Sequence, residues 1–299
     1  MKGGNMKGLE GVFTALITPF DETDNINENS LRKIIRYSLD NGVSGFYVCG
    51  STGEWPLLTL EERKRTLEIV KDEVRDKASI IVNVGCISTK FSIELAKHAE
   101  EIGVSAISSF PPIYYKFSLD EIKRYYFDIA ESTSIPLVIY YIPSFTNIEM
   151  SIDYLLDLLS HKNIIGVKYT SMDLFMLERI KTLSGKIVFN GFDEVFLAGL
   201  TLGADGMIGS TCNFIPDIIV SIYNSFRLGD LKTAYIYQQK LNRIIKDILG
   251  FGVIPAIKEI LNIAGFESGK PRKPFRHLDI EERNKLLSLI KKWDIKLFS

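Results

Sequence analysis

Eight short apolar or β-branched runs, each followed by a stretch of helical periodicity, constrain the fold of this chain more than any other feature. The runs cover residues 11–18, 45–48, 79–84, 106–109, 136–141, 164–169, 187–190 and 206–209. Between them, residues 28–41, 59–74, 89–102, 119–132, 152–159, 173–183 and 194–202 carry the pattern of amphipathic helices. Strands that alternate with helices form βα units and a parallel sheet. Eight such units favour closure into a barrel, and no glycine-rich phosphate loop follows the first run to suggest a dinucleotide crevice. The expected fold is α/β: a (β/α)8 TIM barrel over residues 7–228, closed by a helix at 216–228. Residues 229–299 carry three more helix patterns, at 231–248, 253–264 and 280–293. A turn rich in lysine, proline and arginine at 269–274 separates the last two. No disordered linker precedes these helices, so a C-terminal extension packed on the barrel is expected rather than an independent domain.

Composition narrows the function. Of 299 residues, 46% are hydrophobic, which supports a large core, and 24% are charged, which suits a soluble surface. A formal net charge of −1 gives no field to draw in nucleic acid or an anionic membrane. No uninterrupted apolar run is long enough to span a bilayer. Residues 1–6 lack the apolar centre of a signal peptide and read as a disordered lead-in, with Met6 an alternative start. A cytoplasmic location is expected. Cys49, Cys86 and Cys212 are widely spaced without a CxxC, which suggests neither a disulfide framework nor a zinc site. His98, His161 and His277 fit no metal-ligand spacing and read as surface or cap residues. The chemistry is expected to be organic, without a metal.

Lys168 stands out within that frame. It follows Ile164-Ile165-Gly166-Val167, a run that reads as a fully buried strand. Desolvating an ammonium is costly, so a lysine held there tends toward the neutral amine, a nucleophile able to form a Schiff base. Alternatively, a lysine at a strand end snorkels to solvent or pairs with a carboxylate. The other strand ends decide between these readings, because barrel enzymes place their reacting groups there. The second ends in Gly50-Ser51-Thr52-Gly53-Glu54, where small residues let backbone N–H groups and hydroxyls converge on a carboxylate. The fourth is followed by Pro111-Pro112-Ile113-Tyr114-Tyr115, and the fifth ends in Tyr140-Tyr141-Ile142-Pro143. The sixth ends in Lys168-Tyr169-Thr170-Ser171, the seventh in Asn190-Gly191-Phe192-Asp193-Glu194, and the eighth in Gly209-Ser210-Thr211. Adjacent strands five and six thus set a tyrosine beside the lysine, and Schiff-base chemistry needs such a proton shuttle.

In combination, GSTGE at 50–54, Tyr140 with Lys168, GFDE at 191–194 and GST at 209–211 are specific. The chain resembles the dihydrodipicolinate synthase/N-acetylneuraminate lyase family of pyruvate-dependent class I aldolases over essentially its whole length. The resemblance implies that Lys168 forms a Schiff base with the keto carbon of pyruvate. It further implies that Ser51 and Thr52 hold the pyruvate carboxylate and that Tyr140 relays the proton. Tyr114 resembles the family tyrosine that supports the relay from a neighbouring subunit, and a homotetramer is implied. No cofactor is implied beyond the covalent imine.

Three features resemble the lyase branch of the family. Phe145 stands where the synthases carry an arginine for their second substrate, GFDE follows the seventh strand, and Lys168 to Leu174 follows the lyase pattern. Met172 and Tyr141 depart from that pattern. On this branch Thr170, Gly191, Asp193, Glu194 and Ser210 are expected to bind a small-molecule sugar acid, and the implied reaction is reversible cleavage of N-acetylneuraminate to N-acetylmannosamine and pyruvate. The alternatives are cleavage of a related 2-keto-3-deoxy sugar acid, dihydrodipicolinate synthesis, or a non-catalytic keto-acid-binding barrel. A mere binder has no need of a buried amine nucleophile.

Overall fold

A computed structural model describes residues 8–293 and 295 of the chain. Its strands are β1 (Gly11–Ala15), β2 (Gly45–Val48), β3 (Ser79–Asn83), β4 (Ala106–Ser109), β5 (Leu137–Tyr141), β6 (Ile164–Tyr169), β7 (Ile187–Asn190) and β8 (Gly206–Gly209). All pair in parallel with their sequence neighbours, and β8 returns to β1, so the sheet closes as a barrel in chain order. The helices between them are α1 (Glu28–Asp40), α2 (Leu60–Val74), α3 (Thr89–Ile102), α4 (Leu119–Glu131), α5 (Pro143–Thr146), α6 (Ile152–Leu159), α7 (Leu174–Ser184) and α8 (Phe196–Thr201). After β8 come α9 (Pro216–Arg227), α10 (Leu231–Leu249), α11 (Val253–Ile263) and α12 (Ile280–Lys292). The expected (β/α)8 barrel with C-terminal helices is the observed fold. The lead-in at residues 1–6 lies outside the described residues.

Local chemistry sets the helix starts. Thr59 with Glu62, Ser118 with Glu121 and Asp279 with Glu282 form reciprocal capping boxes that satisfy otherwise unpaired N–H groups of α2, α4 and α12. Period-2 alternation in the strands then sorts side chains into two layers. Outward residues such as Phe46, Val48, Ile107, Ile139 and Val167 pack against the helices in one large cluster. Inward residues, among them Phe13, Tyr47, Val138, Tyr140, Phe189 and Ile208, fill the barrel in a second cluster. Each fully buried aliphatic or aromatic side chain contributes about 1.5–3 kcal/mol, so both layers are held firmly.

Three differences from the sequence expectation lie at the strand ends that carry the cavity. β1 stops at Ala15 rather than residue 18: Leu16 N still donates to Tyr47 O, but Ile17 N turns to Asn213 Oδ1 (3.1 Å) and Thr18 Oγ1 to Gly53 O (2.8 Å). Residues 16–18 are thus buried without belonging to the sheet. The helix expected at 194–202 opens instead with a single 3₁₀ turn over Asp193–Val195, and α8 begins only at Phe196. The short helix α5 was not anticipated; Pro143 occupies its first turn, where the ring's fixed φ suits a helix start. Among the described residues, no helix is long and apolar enough to cross a membrane.

Candidate active site

Lys168 and Tyr140 occupy directly opposed positions on β6 and β5, and both side chains point into the barrel. Lys168 is only 4% exposed. Its Nζ lies 4.1 Å from the centroid of the Tyr140 ring and 4.2 Å from that of Tyr47. The ring faces favour the ammonium, but burial outweighs them and pushes its pKa down from the ordinary 10.5 to about 7, with Asp193 opposing the shift. A substantial fraction is therefore neutral amine near neutral pH. The snorkelling alternative does not describe this side chain.

The same shift makes a stability prediction. Between about pH 7 and 10.5 the unfolded chain binds more protons at this position than the folded one, so stability rises with pH across that window. Below it the folded protein bears the full penalty of a buried ammonium. Lys168→Met is thus expected to be more stable than the wild type at pH 6, on the order of 2–4 kcal/mol, with the advantage fading by about pH 10. Thermal melts of both proteins at the two pH values check this.

Around the amine the polar groups are few and specific. The Tyr140 hydroxyl lies 3.4 Å from Ser51 Oγ. Burial raises its pKa, and the hydroxyls of Ser51 and Thr170 only partly offset that, so the phenol stays protonated. Thr170 Oγ1 is itself buried without a well-formed hydrogen bond. Gly191 makes that placement possible, because a Cβ there would collide with Thr170 Oγ1. The Tyr47 hydroxyl donates to Ser108 Oγ at 3.0 Å, which fixes its ring beneath the amine.

The turn after β2 is closed by bonds from Gly53 N to Gly50 O and from Glu54 N to Ser51 O, both 3.1 Å. The N–H groups of Ser51 and Thr52 have no partner among the described residues. Two unpartnered amides and two hydroxyls, on residues that line a cavity, form a ready site for an anionic oxygen.

The acidic neighbours part company. Asp193 is buried; its Oδ2 accepts from Thr211 N (2.8 Å) and Thr211 Oγ1 (2.6 Å), and burial raises its pKa. One of its oxygens is thereby committed to the protein, and Gly209 leaves the space its carboxylate needs. Glu194 remains half-buried at the cavity wall, also with a raised pKa from burial. Ser51, Thr52, Tyr140, Lys168, Thr170, Gly191, Asp193, Glu194 and Ser210 all line one cavity of about 950 Å³ at the C-terminal mouth of the barrel. Its outer wall is mostly aromatic and apolar, with Trp55, Phe110, Phe145, Phe251 and Phe275, and carries Arg276, whose guanidinium pairs with Glu282. Tyr114 is not brought in: it is 86% exposed, at φ +84°, edge-on to Tyr115.

Of the two departures noted in the sequence, Tyr141 faces the outer layer and stacks on Tyr169, and Met172 is exposed. Neither lines the cavity. Sequence reasoning missed Tyr47, Thr211, and two side chains of α10 that brace the acidic turn. Gln238 Nε2 donates to Asp193 O (3.1 Å), and Asn242 Nδ2 donates to Glu194 O (3.0 Å). Strand alternation pointed to Tyr47, and the GST run already contained Thr211; nothing local pointed to Gln238 or Asn242.

Comparison with known proteins agrees with this geometry. The family model described as the dihydrodipicolinate synthetase family matches residues 8–293. CdNal from Clostridium difficile, solved in complex with mannosamine, shares 40% identity over 95% of this chain and 99% of that one, with a TM-score of 0.93. The N-acetylneuraminate lyase from Fusobacterium nucleatum, complexed with pyruvate, shares 36% identity over 96% of this chain and 98% of that one, at a TM-score of 0.91. Dihydrodipicolinate synthase DapA-2 from Bacillus anthracis shares 30% identity over 94% of this chain and 97% of that one, at 0.90. A barrel with a buried lysine between two tyrosines, matched along its length by these relatives, belongs to the dihydrodipicolinate synthetase family of pyruvate-dependent class I aldolases.

Proposed function

We propose that this protein reversibly cleaves N-acetylneuraminate to N-acetylmannosamine and pyruvate through an imine on Lys168. The observation that carries the reading is the partly neutral Lys168 amine, desolvated between Tyr47 and Tyr140 and facing the cavity that the Ser51–Thr52 turn lines. The substrate carboxylate binds the free amides and hydroxyls of that turn, which presents the keto carbon to Nζ. Amine addition and loss of water give the iminium, an electron sink. The C3–C4 bond then breaks as the C4 hydroxyl gives its proton to Tyr140, which passes its own toward Ser51 or the substrate carboxylate. A neutral phenol suits this relay, because it can accept one proton only while releasing another. Protonation of the enamine at C3 and hydrolysis return pyruvate and the free amine. Tyr114 acts from a neighbouring copy in a homotetramer, which is consistent with its exposed position in the single chain.

Sugar-acid specificity rests on the cavity rim. Phe145 offers no cation for a second carboxylate and the Arg276 guanidinium is engaged by Glu282, whereas Glu194, Thr170 and Ser210 offer acceptors and donors to hydroxyls. The relative solved with mannosamine and the one named N-acetylneuraminate lyase support the same choice. A panel of 2-keto acids coupled to pyruvate release tests it, with N-acetylneuraminate expected to give the highest kcat/KM. No cleavage of it, with turnover of a shorter 2-keto-3-deoxy acid, overturns the assignment. Losing a hydrogen bond to a charged group costs about 1.5–3 kcal/mol, so Glu194→Gln should lower kcat/KM for N-acetylneuraminate on the order of 10–100-fold. Shorter substrates and pyruvate trapping should be spared. Equal losses on every substrate would instead make Glu194 a cap for the adjoining helix.

A further inference from the structure

The most deeply buried charges among the described residues, Glu54 and Lys258, take no part in the chemistry above. Lys258 Nζ lies 2.6 Å from Glu54 Oε1, 4.1 Å from the centroid of the Phe20 ring, and 3.2 Å from Lys270 O, to which it donates. The other Glu54 oxygen accepts the Arg272 N–H at 2.7 Å. The Arg272 guanidinium in turn grips Asp24, Glu62 and the carbonyl of Leu57. Lys258 is on α11 and Arg272 on the loop before α12, so C-terminal segments reach across to the turn after β2.

That turn is held in an unfavourable shape. Cys49 (φ +54°) and Glu54 (φ +59°) bracket Gly50 to Gly53, and both are non-glycine residues in the left-handed region. Such backbone persists only where its surroundings over-determine it. At Cys49 the hold is Asn83 Nδ2 on its carbonyl (2.8 Å). At Glu54 it is the ion pair and Arg272. A buried ion pair is often no more stabilising than apolar residues of the same volume, so stability alone does not explain its presence.

We propose that the Glu54–Lys258 pair, locked by Arg272, is a positioning device that holds Ser51 and Thr52 in the shape that grips a keto-acid carboxylate. This rests on the reading of Lys168 as the imine-forming residue. The C-terminal helices thereby govern pyruvate binding without touching pyruvate.

The test is the pyruvate concentration that half-saturates borohydride trapping. Lys258→Met should raise it by about tenfold or more, because displaced binding groups lose affinity steeply. The trapping rate at saturating pyruvate should stay within about threefold of wild type, since Lys168 and Tyr140 keep their places. Leu286→Ala, in the buried face of α12, is the control for stability. It should lower Tm and leave half-saturation unchanged. Where Lys258→Met does not fold, Glu54→Gln combined with Lys258→Met removes both charges and should show the same rise. Half-saturation within about twofold of wild type in either folded variant overturns the proposal, as does an equal rise in Leu286→Ala. Absence of any trapping in the wild type overturns the imine reading instead, and the positioning role with it.

Discussion

Lys168→Ala is expected to lower turnover by about 10⁴-fold or more while the barrel stays folded, because among the described residues no other lysine lines the cavity. Lys258, the other deeply buried lysine among the described residues, is held by Glu54. The substitution leaves a small void between the Tyr47 and Tyr140 rings but also removes an ammonium that burial disfavours, so the two effects on stability oppose each other. Circular dichroism should show an unchanged fold, and a pyruvate-coupled assay should show the loss. Activity within about tenfold of wild type would mean that the reaction does not pass through this amine.

Tyr140→Phe is expected to slow turnover by about 100-fold or more, the usual effect of losing a positioned acid–base group. The ring remains, edge-on to Tyr47 at 5.8 Å, so the packing around Lys168 survives. What disappears is the hydroxyl 3.4 Å from Ser51, and with it the path from the C4 hydroxyl. Pyruvate should still be trapped, more slowly, since imine formation with a small keto acid needs less help than carbon–carbon cleavage. If steady-state turnover stays within a few-fold of wild type, Tyr140 serves as packing and the proton takes another route.

The barrel was legible because its signals are local: each strand is a short apolar run, each helix a periodic one, and the two alternate eight times. Lys168 was legible for a related reason, as a charge at the end of a run that otherwise reads as buried. Its partner Tyr140 followed from strand adjacency, and the register bears that out. The end of β1 was misplaced because residues 16–18 are apolar or small for burial beneath loops, which composition cannot separate from burial in a sheet. The start of α8 was misplaced because Asp193 turns inward to Thr211 and draws the first turn tight. Gln238, Asn242, Lys258 and Arg272 carried no signal at all. The site residues they brace, Asp193, Glu194 and Glu54, lie 45 to 218 residues away, and a lysine or glutamine on an amphipathic helix reads as surface until the fold is closed. Glu54 was visible only as the last letter of a motif, without its ion pair.

Borohydride reduction in the presence of pyruvate tests most directly whether Lys168 carries the imine. Reduction converts the imine to a stable secondary amine, and peptide mass mapping locates it. A single adduct on the peptide containing Lys168, absent when borohydride or pyruvate is omitted and absent in Lys168→Ala, is the expected result. An adduct on any other lysine, Lys258 included, or no adduct at all, would contradict the mechanism.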